Sequence, residues 1–139
     1  MRKKTKNPLA EDWFSRGDAD LDVANITLRE SQHFALVCFL SQQSAEKYLK
    51  GFLTLKNKKF RKTHFLDELV ENASRIHKKF SELIPFAKSL DGYYIDTRYP
   101  VDWSKTYRRH DAFQALKDAN EIIGAIKKAI QRYRSASLG

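Results

Sequence analysis

The side chains able to handle a phosphate gather in a few places along the chain. KNKKFRKTH, residues 56–64, interleaves Lys56, Lys58, Lys59, Arg61 and Lys62 with Phe60 and ends on His64. Arg108, Arg109 and His110 stand together further on. Between these clusters YYIDTRYPVDW, residues 93–103, sets Arg98 among Tyr93, Tyr94, Tyr99 and Trp103. Guanidinium and ammonium groups bind anionic oxygens through charge-assisted hydrogen bonds, and an imidazole can move a proton at the same centre. Aromatic rings beside them add contact area at low entropic cost. Each basic cluster alone also has the composition of a solvated turn.

Other chemistries lack their residues. The single cysteine, Cys38, and the histidines at 33, 64, 77 and 110 lie on separate segments, without the clustering of a zinc site. No glycine-rich phosphate loop occurs, and no pair of acids stands out as a candidate for acid–base work. Cys38 lies in the most apolar stretch and reads as core. No metal and no cofactor are expected. One cysteine leaves no intrachain disulfide framework, so a reduced, cytoplasmic setting is expected. No apolar run is long enough to cross a bilayer, so no membrane partner is expected. The opening MRKKTKNPLAEDW is basic but leads into no apolar stretch of the kind a secretory leader needs.

These side chains need positioning elements, and the apolar spacing predicts five helices. The first covers about residues 10–30, with Trp13, Phe14, Gly17, Leu21, Ala24 and Leu28 on one face. The second covers about 33–56 and is apolar on most sides for two turns, which places it at the centre or in an oligomer interface. Its SQQSAEKYLKG segment carries Gln42, Gln43, Glu46 and Lys47, which turn either to solvent or into a cleft. Gln42 and Glu46 share a helix face, as do Gln43 and Lys47.

The third is expected over about 65–79, with Thr63 as N-cap and Asp67 and Glu68 in its first turn. The fourth runs over about 81–90, with Pro85 in or before its first turn. The fifth covers about 112–134, capped by Asp111 with Gln114 three residues on, and carries Phe113, Leu116, Asn120, Ile123, Ile126, Ile130 and Tyr133 on its inner face. The stretch from Tyr93 to Trp103 reads as a connection, its direction fixed where Pro100 restricts Tyr99 to extended geometry. The expected architecture is a single all-α domain over residues 1–139, an antiparallel up-and-down bundle of about five helices, with 1–8 and 135–139 as flexible ends.

Lysine and arginine total 26 against 17 acids, a formal charge of +9. Such a balance favours contact with phosphates or an acidic partner, and equally serves a soluble, self-repelling surface.

The order of these segments resembles a known family. ALVCFLSQQSAEKYLKGFL, then a basic loop and THFLDELV, then YYIDTRYP and a closing ALKDANEIIGAI are similar to prokaryotic HEPN domains across nearly the whole chain. SQQSAEKYLKG and TRYP in this order and at this separation carry the resemblance. It implies a helical bundle that forms a homodimer, and a gene pair with a minimal nucleotidyltransferase in a toxin–antitoxin-like system. Some members are metal-independent ribonucleases whose arginine and histidine are separated by four to six residues. Here Arg29 and His33 have three residues between them, Arg61 and His64 two, and Arg98 and His110 eleven.

The expected function is therefore a nucleotide- or RNA-phosphate-binding module, more binding protein than enzyme. In it Arg98 holds phosphate, Tyr94 and Tyr99 frame it, and Gln43, Lys47 and His64 lie near. Two alternatives stand beside it. One is a ribonuclease using Arg98 with His64 or His110. The other is an interaction module whose basic surface docks an acidic partner. Arg98 has a purely structural reading as well, pairing with Asp96, Asp102 or Glu46.

Overall fold

The computed structural model describes residues 2–98 and 106–138, with side chains described for 2–93 and 106–132. It is an all-α bundle: α1 Pro8–Glu30, α2 Phe34–Leu55, α3 Leu66–Ser74, a 3-10 helix Lys78–Leu83, α4 Ile84–Arg98 and α5 Arg109–Leu138.

α1 starts where Asn7 accepts the Ala10 amide at 3.0 Å and Pro8 takes the first helical position, which needs no amide donor. The segment ahead of it is fastened from Arg2 onward. Arg2 pairs with Glu11 at 2.8 Å, and the Thr5 amide and hydroxyl also donate to Glu11.

α1 and α2 form a hairpin across Ser31–His33, and its contact is close because two glycines face it. A Cβ on Gly17 would fall 2.7 Å from the Tyr48 ring, and one on Gly51 would fall 2.5 Å from the Phe14 ring. Tyr48 and Phe14 are themselves fully buried, with ring centroids 5.1 Å apart. As its apolar breadth predicts, α2 is the central helix, buried from Ser44 to Leu53 except at Lys47. It ends in a Schellman motif: Asn57 adopts a φ of 55°, the Lys58 amide reaches the Leu53 carbonyl at 2.9 Å, and the Asn57 amide reaches Thr54 at 3.0 Å.

α5 follows α2 in the same direction. Its Arg109 lies over the Phe34 ring at the start of α2, and Lys127 lies over the Tyr48 ring further along. α4 runs against both, since Tyr93 near its end meets Tyr107 just ahead of α5 at 5.9 Å. The four long helices thus alternate in direction, with α3 and the 3-10 helix forming the connection. Leu49, Phe52, Leu66, Leu69, Leu90, Ile122 and Ile126 make the middle of the core.

Several elements differ from their expected form. α3 stops at Ser74, where the Ile76 and His77 amides both turn to the Ala73 carbonyl, and residues 78–83 wind as a 3-10 helix. Thr63 does not cap α3; its hydroxyl accepts the Phe65 amide at 3.1 Å. The cap comes from α4, whose Asp91 accepts the Leu66 and Asp67 amides at 2.6 and 3.1 Å. Pro85 sits in the first turn of α4, where its missing donor costs nothing.

Tyr93 to Arg98, read as part of a connection, is the end of α4. The expected effect of Pro100 on Tyr99 lies outside the described residues. Asp111 is not the cap of α5 but lies in its first turn, reaching back to the Arg108 amide at 2.8 Å. Phe113 is 60% exposed rather than on the inner face.

Candidate functional site

One polar cluster interrupts the apolar packing, and it begins on α2. Gln42, Glu46 and Lys50 recur at steps of four, so their side chains rise from one face of the helix. All are buried: Gln42 is 0%, Glu46 4% and Lys50 7% exposed. A buried charge must be paired, and these are. Lys50 donates to Glu46 at 3.0 Å, and its ammonium sits 5.6 Å from the Trp13 ring and 5.9 Å from the Phe60 ring. The aromatic faces replace part of the water that the ammonium has lost.

The second partner of Glu46 arrives from outside α2. Nδ1 of His64 lies 3.2 Å from one carboxylate oxygen and 3.4 Å from the other. The backbone that carries His64 is clamped as well, because Gln42 donates to the His64 carbonyl at 2.7 Å. The Gln43 side chain donates in turn to the side-chain oxygen Oε1 of Gln42 at 2.7 Å. The imidazole is thus held by a buried carboxylate while its side chain stays 52% exposed. A carboxylate against Nδ1 places the proton on that nitrogen, so Nε2 is the basic nitrogen of the neutral ring.

The expected site residues divide as follows. Gln43 joins the His64 cluster through Gln42. Lys47 points the other way and pairs with Asp20 of α1. Next to that pair, the Tyr48 hydroxyl donates to Asp18. His110 is exposed on the first turn of α5 and makes no hydrogen bond or ion pair among the described residues. Arg98 is the last residue of α4, and its side chain lies outside the described residues, as does that of Tyr94; Tyr99 lies outside them altogether. The basic residues Lys58, Lys59, Arg61 and Lys62 are exposed on the segment leading to His64.

Sequence reasoning put Gln42 and Glu46 on one face but did not find their partners. The signal for Lys50 was present, as a lysine four residues after a glutamate in an otherwise apolar helix. The signal for His64 was not, since nothing in the local spacing links it to Glu46.

Among the described residues, no three or more His, Cys, Asp and Glu side chains gather as a metal site. None of the described helices is long and apolar enough to cross a membrane. Cys38 is buried, and burial followed by the charge of Asp111 pushes its thiol up to about 12, so it stays protonated.

Known proteins share this fold. A protein of Methanocaldococcus jannaschii named "Putative toxin MJ1304" is 30% identical over 129 residues, spanning 83% of this chain and 84% of its own. The crystal structure of TT1696 from Thermus thermophilus superposes with a TM-score of 0.77 at 30% identity, over 86% of this chain and 96% of that one. The crystal structure of ST0689, an archaeal HEPN homologue, gives 0.71 at 29% identity, over 87% and 97%. The family model for the HEPN domain matches residues 10–129. With most of its length inside that match, the chain belongs to the HEPN domain family.

Proposed function

We propose that this HEPN-domain protein binds an RNA or nucleotide phosphate on the face that carries His64. The observation behind this reading is the imidazole held 3.2 Å from buried Glu46 and left half exposed beside the cationic segment of Lys58, Lys59, Arg61 and Lys62. When protonated, the half-exposed ring presents its Nε2–H to an anion in a fixed direction, and the surrounding cations raise the local concentration of one. Asp91 ties α4 to the residues immediately after His64, and Arg98 follows two turns later on the same helix. Its guanidinium is the second anion ligand in this reading, with Tyr94 and Tyr99 framing the phosphate.

The protein works in this reading as the toxin-like member of a two-gene pair with a minimal nucleotidyltransferase, in line with the name of its archaeal relative. It acts as a homodimer. The α2 stripe of Leu36, 44% exposed, with half-buried Phe39 and Leu40, supplies apolar area near the His64 cluster. Binding of ATP, GTP and a short labelled RNA to the wild type, His64→Ala and Arg98→Ala tests the site. Equal affinities across all three proteins remove it.

The Glu46–His64 contact also favours a second reading, cleavage of RNA without a metal. An imidazole oriented by a carboxylate is the usual form of a general base, here able to take the 2′-hydroxyl proton while Arg98 offsets charge on the phosphate. Incubation with labelled RNA in EDTA separates the two readings. Cleavage that is lost in both His64→Ala and Arg98→Ala selects the enzyme, and intact RNA selects the binding module.

A further inference from the structure

A groove of 620 Å³ runs along α5, away from the His64 cluster. One wall is the end of α1, at Asn25 and Leu28, and the other is the 3-10 helix with the start of α4. Its lining includes Leu28, Leu83, Phe86 and Leu116, and Phe113 stands in it with 60% of its surface exposed. Among the described residues Phe113 is the large aromatic side chain most open to solvent away from the chain termini and the basic segment.

The rim is unbalanced in charge. Lys79, Lys117, Lys128 and Arg132 are all exposed there against Glu82 and Glu121, four cations to two anions, an excess of two positive charges. None of these six forms an ion pair among the described residues. Gly124 lies between them, in the middle of the thirty-residue α5. A Cβ built there meets nothing within 4 Å among the described residues, so no contact they make requires a glycine. Glycine inside a helix costs about 1 kcal/mol relative to alanine. Here it leaves bare backbone open to a close approach from outside.

We propose that the groove docks an amphipathic helix with acidic flanks from a partner protein. Its apolar side lies over Phe113 and Phe86, its backbone passes Gly124, and its carboxylates meet Lys117, Lys128 and Arg132. The charge of the rim argues against a second copy: the same face turned on itself sets these cations against each other. The lining argues against single-stranded nucleic acid, which stacks on successive exposed rings. Of the lining phenylalanines only Phe113 stands widely open, while Phe86 is half-buried and Phe80 is 2% exposed, so the groove offers no run of open rings. An apolar trough with charged edges is the form that takes an amphipathic helix. The inference does not depend on phosphate binding at His64.

The test uses the full chain and a fluorescein-labelled helical peptide of leucine, alanine and glutamate, read by anisotropy. A lysine counterpart and a uridine oligonucleotide serve as controls. Saturable binding of the acidic helix is expected, with affinity falling roughly tenfold or more in Gly124→Leu and in the Lys117→Glu, Lys128→Glu double variant. Circular dichroism of both variants should match the wild type, because the added groups point into open space. Three results overturn the proposal: no saturable binding of the acidic helix, equal binding to Gly124→Leu, or displacement by the uridine oligonucleotide from the groove. A wild-type dimer that becomes a monomer in Gly124→Leu by light scattering also overturns it, and assigns the groove to a second copy.

Discussion

The carboxylate of Asp91, on α4, accepts the amide of Leu66 at 2.6 Å and so caps a helix twenty-five residues earlier in the chain. The same carboxylate takes the Asp67 amide, and the acidic side chain of Asp67 lies beside it. Burial, and then the charge of Asp67 against the opposing pull of the two amides, pushes Asp91 up to about 6.

A carboxyl raised in this way binds its proton more tightly in the folded state than in the unfolded one. Between its ordinary value of 3.8 and about 6, the folded state therefore holds the extra proton, and stability falls as pH rises through that window. Urea unfolding of the wild type should show its midpoint climbing as pH drops from about 7 to about 5, and Asp91→Asn should flatten that climb. Asp91→Ala leaves two helix-end amides without a partner and should cost about 1–2 kcal/mol near pH 5 and less near pH 7, where the wild type has given up its proton-linked gain.

Glu11 titrates in the opposite sense. Burial works against its charged form, but hydrogen bonds from Arg2 and from the Thr5 hydroxyl and amide outweigh burial and hold the carboxyl at about 2. Its contribution is present above its ordinary value of 4.5 and is lost as pH falls toward 2. Glu11→Gln should lower the thermal midpoint at neutral pH and leave it nearly unchanged in strong acid. A variant that loses as much stability in acid as at neutral pH would show that the ionised carboxylate is not what holds the leading segment.

These two carboxylates also show how far the sequence could be read. The stripes of α1, α2 and α5 were legible because Phe14, Ala24, Val37, Tyr48, Ile123 and Ile130 repeat at helical spacing, and each is buried. The cap of α3 was not, because Thr63 is the local candidate and Asp91 arrives only through the tertiary fold. Residues 93–98 read as a connection because Gly92 with the paired Tyr93 and Tyr94 resembles a turn, whereas they continue α4. Phe113 was misplaced by the rule that a large ring on a helix faces inward. In the candidate site, the face shared by Gln42 and Glu46 was legible from spacing. The meeting of Glu46 with His64 was not, since it depends on how the loop after Asn57 returns to α2.

Breaking the buried pair should be costly. Glu46→Ala strands the Lys50 ammonium between Trp13 and Phe60 and should destabilise the fold by about 3–5 kcal/mol. Replacing both, with Glu46→Gln and Lys50→Met, removes the stranded charge and should recover most of that loss. A denaturant-based double-mutant cycle measures the coupling, and additive losses would mean that the pair does not act as a unit.

Two glycines in different surroundings should respond in opposite directions. Gly51→Ala drives a Cβ to within 2.5 Å of the Phe14 ring and should cost about 1–3 kcal/mol. Gly124→Ala meets nothing and should gain about 0.5–1 kcal/mol. Thermal unfolding of the two variants gives both signs at once.

The most direct measurement is the affinity of a short labelled RNA, with ATP and GTP in parallel, for wild type and His64→Ala at one fixed low salt concentration. Both proteins must first be shown to unfold at the same temperature. Loss of the oriented imidazole is predicted to weaken binding by roughly tenfold or more, equivalent to about 1.4 kcal/mol. Unchanged affinity in a folded His64→Ala protein would contradict the account and return the Glu46–His64 contact to a purely structural role.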